Sequence, residues 1–592
     1  MTSKIRKTPF FTGLFLLCMS TLMLQIVETR ILSVVSMYYL AFFSISMAML
    51  GMTAGALLVY FKFSQVNADN LAPYLSKLSL GFSLVLVICF LLQLASPVPT
   101  VQWATFVVIW INMILLLAAP FVLAGAAVSL ALTRSPFPVG ITYGVDLGGA
   151  AFGCVAVLVL MNVIDSPSAI FVVAALPAVA ASCFTLAGKD LPPVRIAPDW
   201  KFLRRPSWIA VGLVVLAAAN ATTYFGLQPV SAKFGSIEDL RRFDFIRWNS
   251  FSRIAVTEPR IAQPFLWGPS PILPPGLLAQ QRSLNIDGFA GTSMPLYGGD
   301  DTQVDALRYD ITNLAYSARH TGRAAVIGVG SGRDLLSAHL FGFRDITGVE
   351  LNPIFVNLLT DPTQLRSYAG VADLPGVRLI VDEGRSWFAR TDERFDTLEM
   401  SMIDTFAATG AGAFSLSENG LYTVEAWRTF LNALKPDGLF TVSRWYSPTA
   451  NVEIGRTTSL AVASLISLGV ERPRDHIFLA ATGNLATLVI SRAPFTADDL
   501  KALTDAAQRL RFEILASPDR TTSVPVIQDL LAAKTLADLD ARSQQYLLDV
   551  SPPTDSRPFF FNQLRLFHPE DLRQIYYEYE RNKKVISGSG LV

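Results

Sequence analysis

The feature that most constrains this chain is a series of long apolar stretches confined to its first 226 residues. A helix needs about 20 predominantly apolar residues to cross a bilayer. Runs of that kind lie near 9–27, 33–61, 78–97, 104–133, 140–163, 167–187 and 207–226. Charge follows the same division: 18 of the 95 Lys, Arg, Asp and Glu residues precede position 227, and 77 lie in the 366 that follow. The first part therefore has the composition of a membrane bundle of about seven helices, and the second that of a globular domain. The first stretch follows Lys4, Arg6 and Lys7 as a signal peptide would. It runs into Glu28 and Arg30 without a small-residue cleavage site, so it is expected to be retained.

Ionisable groups within spans are costly and often functional. Glu28 and Arg30 read most simply as an interfacial pair that neutralises itself, and Asp146, near Tyr143, sits close to a span end. Gly51, Gly55, Gly148, Gly149 and Gly153 suit close helix packing. The net charge of +1 gives no footprint for nucleic acid. Cys18, Cys89, Cys154 and Cys183 all fall in the apolar part without zinc-site spacing, and the four histidines are scattered, so no metal is expected.

Four regions follow: a transmembrane bundle over 1–226, a Pro- and Gly-rich linker with a small β subdomain over 227–310, a nucleoside-binding Rossmann-like domain over 311–450, and a C-terminal α/β extension over 451–592. From Arg323, strands alternate with helices: strands at 324–330, 345–351, 377–381, 395–400 and 439–445, helices at 333–341, from Arg385 and at 421–434. That alternation predicts a parallel, doubly wound sheet. A helix at 453–469 and a hairpin at 477–491 come next.

The first of these strands runs into Gly328-Val-Gly330-Ser331-Gly332. Glycines let a backbone turn sharply and approach a ligand, although a tight strand-to-helix turn alone would also explain them. Glu350 ends the second strand, 22 residues after Gly328, where a carboxylate can accept from ribose hydroxyls or cap a helix. Asp382 and Glu383 end the third, where an acid can accept from an adenine amino group. Three strand ends on the carboxyl edge of one sheet form a coherent nucleoside site.

These segments resemble the spermidine/spermine synthase family, within the S-adenosylmethionine-dependent methyltransferase fold, and the whole chain is similar to membrane-fused members of that family. The carrying residues are Tyr309-Asp-Ile-Thr, Val326–Gly332, Gly348-Val-Glu-Leu-Asn-Pro353, Asp382-Glu-Gly-Arg385, Phe395-Asp-Thr-Leu-Glu399 and Leu434-Lys-Pro-Asp-Gly-Leu-Phe440. The resemblance implies a class I methyltransferase-like α/β domain and a donor that is S-adenosylmethionine or its decarboxylated form, bound without metal. It implies that Gly328, Gly330, Ser331 and Gly332 face the donor's methionine-derived portion, that Glu350 holds the ribose, and that Glu383 with Asp382 reads the adenine. Tyr309 falls on a tyrosine that orients the amine acceptor.

Two positions depart from the family. Ser331 stands where an aspartate binds the donor's amino group, and Ser401 where an aspartate deprotonates the attacking amine; the second acid of that pair survives as Asp404. An amine must lose a proton before it attacks carbon, and serine cannot take it without a base beside it. Asp404 is the remaining candidate base or an N-cap, and poor turnover of putrescine is expected. The segment 404–415 is small and apolar, either a lid over an apolar acceptor or a connector. Methyl transfer, and a transporter or sensor that binds nucleoside or polyamine without turnover, are the alternatives. The expected partners are membrane lipid and a small acceptor, an amine or a membrane-derived molecule; a homo-oligomer is left open.

Loop charge places the N-terminus and the 188–206 loop, with its five basic residues, in the cytoplasm of a bacterial inner membrane. Seven crossings would then put the nucleoside site outside, away from its ligand. A cytoplasmic soluble domain is expected, with one stretch, 140–163, entering without crossing.

Overall fold

The computed structural model describes residues 5–35, 40–96, 103–188, 206–223, 226–233, 237–288, 290–403, 418–448 and 452–563. They form two compact units, one running to Ala255 and including Ile286–Ala290, the other made of Val256–Asn285 and the chain from Gly291 onward.

In the first unit the apolar stretches fold as α1 (Lys7–Val35), α2 (Leu40–Lys62), α3 (Leu71–Ala95), α4 (Trp103–Arg134), α5 (Val139–Val163), α6 (Ser166–Ala187) and α7 (Pro206–Thr222). By length and composition α1 to α6 are able to cross a membrane, which makes the chain an integral membrane protein. The seventh stretch differs from its expectation. Helix α7 has 17 residues, about 25 Å at 1.5 Å per residue, against roughly 30 Å of hydrocarbon. The stretch expected to be incomplete is an unbroken helix, α5, of 25 residues. Residues 189–205, which hold the five basic residues of the 188–206 loop, lie outside the described residues.

Glycine sets the closest helix contacts. A Cβ on Gly51 or Gly55 of α2 would stand 2.5 Å from the Ala118 carbonyl oxygen and 2.2 Å from that of Val122, on α4. On α5, one on Gly149 or Gly153 would stand 2.4 Å and 2.7 Å from the Phe15 and Met19 carbonyl oxygens of α1. Gly148 faces open space and takes no part. Outward-facing side chains such as Leu115, Val155 and Val159 are apolar, a surface suited to hydrocarbon.

Near the end of α1, Arg30 pairs with Asp287 rather than with Glu28. The Asp287 carboxylate also accepts the Arg253 N–H at 2.8 Å, and Arg253 pairs with Glu238 at 2.7 Å. Lys233 Nζ donates to the carbonyls of Ser33 and Asp287, 2.7 Å each. All five side chains are buried.

The small β subdomain comprises β1 (Phe243–Trp248), β2 (Arg253–Thr257), β3 (Arg260–Ala262), β4 (Ala279–Ile286) and β5 (Ala290–Pro295), ordered β1-β2-β4-β3 with β5 on β4. The main sheet follows: β6 (Arg323–Ile327), α8 (Arg333–Leu340), β7 (Asp345–Glu350), α9 (Pro353–Thr360), α10 (Arg366–Ala369), β8 (Val377–Val381), α11 (Gly384–Arg390), β9 (Phe395–Ser401), α12 (Val424–Asn432), β10 (Leu434–Trp445), α13 (Val452–Ser467), β11 (Ile477–Thr482), β12 (Leu485–Ser491), α14 (Ala497–Arg509), β13 (Glu513–Ala516), α15 (Pro525–Leu531) and α16 (Leu536–Ser543).

Its order is β13-β11-β12-β10-β9-β6-β7-β8. The five strands from β10 to β8 are parallel, as the alternation predicts. The hairpin β11–β12 and strand β13 extend the sheet antiparallel, so residues beyond 450 complete the same sheet. Successive strands step one way from β6 to β8 and the other way from β9 to β10. The reversal leaves a crevice outside the carboxyl ends of β6 and β9, where open α/β sheets bind ligands.

Candidate functional site

Strand β6 ends at Ile327 and the chain turns through Gly328, Gly330 and Gly332, with φ of +79°, +52° and +83°. A Cβ is costly in that region. On Gly328 it would also come within 2.5 Å of Ile403, whereas on Gly330 it would meet only Thr292, at 3.9 Å. The turn thus presents bare backbone to open space at Gly330. Ser331 is buried, and its hydroxyl donates to the Ser293 carbonyl at 2.7 Å.

At the end of β7, Glu350 is 7% exposed. One carboxylate oxygen accepts the Gly330 N–H at 2.9 Å and the other the Asn352 N–H at 2.8 Å. It does not cap α9; Asn352 does, accepting from Ile354 N. Burial pushes the Glu350 carboxyl above its ordinary range, opposed by these backbone donors. Asp382 accepts its neighbour's N–H at 2.8 Å and pairs with Arg390, while its own N–H donates to the Glu350 carbonyl at 3.0 Å. Glu383 caps α11, accepting from Arg385 N at 3.0 Å and Ser386 N at 2.7 Å. Gly330, Glu350 and Asp382 are therefore brought together at adjoining strand ends. Arg385 is held at 2.6 Å by Asp555, from the Pro-rich segment near the end of the described chain, and holds that carboxyl below its usual range.

The residues expected to serve an acceptor are placed differently. Tyr309 lines a cavity of about 340 Å³ with Asp305, Arg308, Asn313, Phe341 and Arg509, and no residue of the glycine turn lines it. Asp404 and the apolar segment after it lie outside the described residues.

A buried polar group not expected from the sequence occupies the end of β9. The Ser401 hydroxyl donates to Asp334, in the first turn of α8, at 2.9 Å. Arg333 pairs with Asp334 at 2.7 Å and with Asp310 at 2.6 Å. Asp310 in turn accepts the N–H groups of Trp267 and Gly268, at 2.8 and 3.1 Å. Glu399 is fully buried and accepts from the Tyr316 hydroxyl at 2.5 Å. Burial, and then the Asp334 carboxylate, push the Glu399 carboxyl well above the usual range; burial and Glu399 push the Tyr316 hydroxyl up in the same way. A signal was present: Thr397, Glu399 and Ser401 alternate along a central strand, and buried polar groups there need partners.

No family model matches the chain, and no curated protein matches it. Solved structures do. A spermidine synthase in complex with the transition state analogue AdoDATO is 13% identical, the match covering 51% of this chain and 88% of that one at a TM-score of 0.29. A probable spermidine synthase from Corynebacterium glutamicum ATCC 13032 is 14% identical over 48% and 92%, at 0.32. Human Methyltransferase-like protein 13 in complex with SAH is 14% identical over 37% and 96%, at 0.24. Likeness at these scores carries no assignment. The class is defined by the strand order and the glycine turn themselves: membrane helices fused to a Rossmann-like α/β domain.

Proposed function

We propose that the chain is a membrane-anchored transferase that takes S-adenosylmethionine or its decarboxylated form as donor and passes a carbon group to a small acceptor, in the manner of a spermidine synthase. The observation that carries this reading is the Gly330 N–H held by the buried Glu350 carboxylate at the switch point of the sheet. The Glu350 carboxylate, oriented by the Gly330 and Asn352 N–H groups, would accept from the donor's ribose hydroxyls. The open face of Gly330 would receive the donor's methionine-derived portion, and Asp382 with Glu383 its adenine. The acidic residues around the crevice suit a cationic sulfonium. Rate would come mainly from holding donor and acceptor in line.

A cytoplasmic soluble domain in a bacterial inner membrane belongs to the same proposal. With the N-terminus inside, six crossings return the chain to the cytoplasm, and α7 is short for a seventh. Methyl transfer is the second reading. Ser331, which stands where the resembled family binds the donor's amino group, is committed to the Ser293 carbonyl.

Calorimetric titration with each donor, followed by mass spectrometry of the products, tests the proposal. Preference for the decarboxylated donor supports the first reading, preference for S-adenosylmethionine the second, and tight binding without product a binding protein. Glu350→Ala should raise the donor's Kd roughly 10- to 150-fold, about 1.5–3 kcal/mol for a lost charge-assisted bond. An unchanged Kd removes Glu350 from the site. A reporter fused after Val592 reads the side of the membrane.

A further inference from the structure

The cavity that Tyr309 lines, about 340 Å³, stands apart from the donor site and falls within the range of small-molecule pockets, roughly 300–1,000 Å³. Helix α8 leaves the glycine turn at Gly332 and is capped at its far end by Phe341, which forms one wall of the cavity. Eight residues of helix put about 12 Å between the two ends. Another wall is the end of α14, with Arg509 and Leu510. Ser270 ties this wall to the loop beside it: its hydroxyl donates to the Leu510 carbonyl at 2.6 Å and accepts the Ile272 N–H at 3.2 Å. Arg308 is held by three contacts, its Nε on Asp305 at 2.8 Å, its Nη2 on the Leu340 carbonyl at 2.9 Å, and its guanidinium 5.4 Å from the Phe341 ring centroid.

Three polar groups on these walls have no hydrogen-bond partner among the described residues: the Arg509 guanidinium, the Tyr309 hydroxyl and Asn313 Oδ1. A basic side chain in the last turn of a helix is ordinary, but a buried acceptor without a donor is not. Asn313 is 1% exposed, and its Nδ2 is spent on the Leu307 carbonyl at 2.7 Å, which fixes Oδ1 as the end that needs a donor. Charge then decides the ligand. Asp310 is committed to Arg333, so Arg308, Arg509 and Asp305 leave one positive charge over. A carboxylate balances it, whereas the dianion of a phosphate monoester meets Asp305 and an amine meets two arginines. We propose that the cavity is a second ligand site, for a small carboxylate with an aromatic or apolar body and a hydroxyl or N–H group. The carboxylate lies on Arg509 and Arg308, the body against Phe341 and Leu314, and the donor on Asn313 Oδ1. The inference is independent of the transferase reading.

The test titrates the full chain in detergent with 4-hydroxyphenylacetate, with its neutral amide and with tyramine, three probes that share a ring and a hydroxyl and differ in charge. The acid should bind about 10-fold or more tightly than the amide, the scale of one charge-assisted bond, and tyramine more weakly than either. Arg509→Gln should remove the advantage of the acid with the melting temperature unchanged, because Arg509 is exposed at a helix end. Arg509→Glu should turn the preference toward tyramine. Saturating methylthioadenosine should leave the Kd of the acid within about twofold, since the cavity is separate from the crevice. Equal affinity for acid and amide, a preference of the unaltered chain for tyramine, no binding of any of the three, an unchanged Kd in Arg509→Gln, or displacement of the acid by methylthioadenosine would overturn the inference.

Discussion

The two units each bury a cluster of charges, and the clusters are unbalanced in opposite senses. In the first unit three cations, Arg30, Lys233 and Arg253, meet two acids, Asp287 and Glu238. In the second, three acids, Asp310, Asp334 and Glu399, surround Arg333. A buried unpaired charge is expensive, and a titratable group relieves it by becoming neutral. Each cluster has such a member. Burial brings Lys233 down to about 8, with Arg30 and Arg253 acting in the same direction against the pull of Asp287. Burial and Asp334 push Glu399 up. The difference lies in what each is tied to. The basic cluster is tied to backbone carbonyls and reads as a structural latch. The acidic one lies along β9 and the first turn of α8, tied to the Tyr316 and Ser401 hydroxyls.

The largest effect expected concerns the latch. Asp287→Asn keeps a residue type that tolerates the left-handed φ of +54° but strands the Arg30 guanidinium. Breaking one partner of a buried pair costs about 3–5 kcal/mol, and denaturation of the detergent-solubilised chain should show a loss of that order. Arg30→Met combined with Asp287→Asn should recover most of it, because the Arg30 guanidinium is no longer left without its carboxylate. A double variant as unstable as the single would mean that the pair is not what holds the segment.

Lys233 comes next. Its folded value, about 8, lies below the ordinary 10.5. Between the two the unfolded chain holds the proton and the folded chain does not, so stability rises with pH across that window. The interval corresponds to about 3 kcal/mol. Lys233→Met should flatten the slope between pH 7 and 10 and be the more stable protein at pH 7. Parallel stability curves for the two proteins would remove Lys233 from the balance.

Much of this could be read from residues and spacing. The apolar stretches gave the helices because a bilayer admits little else. The three glycines gave a turn with three positive φ values, and Glu350 was placed at the end of its strand, where its carboxylate proves to bond the turn. Two things were not legible. Partner choice across long sequence separations was one: Arg30 looked paired with Glu28, two residues away, but its carboxylate is 257 residues on in the chain. The other was the partner of Ser401, whose hydroxyl donates to Asp334 on α8. Ser401 read as a lost acid because a sequence comparison aligns one strand with one strand, while Asp334 reaches the same hydroxyl from α8. The 17-residue length of α7 was also hidden, since hydropathy runs on past the end of the helix at Thr222.

The smallest effect tests the acidic cluster with the opposite sign. The folded Glu399 carboxyl is raised above the unfolded value of 4.5. In the window between, the folded chain holds the proton and the unfolded chain has lost it. The stability that Glu399 contributes is therefore complete below about 4.5 and is lost as pH rises through the raised value. Glu399→Gln removes the titration and keeps an oxygen for the Tyr316 hydroxyl, so the local hydrogen bond survives. The variant should match the parent at pH 5 and melt above it at pH 9, by about 2–4 °C if roughly 1 kcal/mol is at stake in a unit of this kind. The two clusters would then show stability slopes of opposite sign in one chain. A difference in Tm that does not change between pH 5 and pH 9 would mean that Glu399 is ionised in the fold throughout, and the acidic cluster would lose its opposite slope.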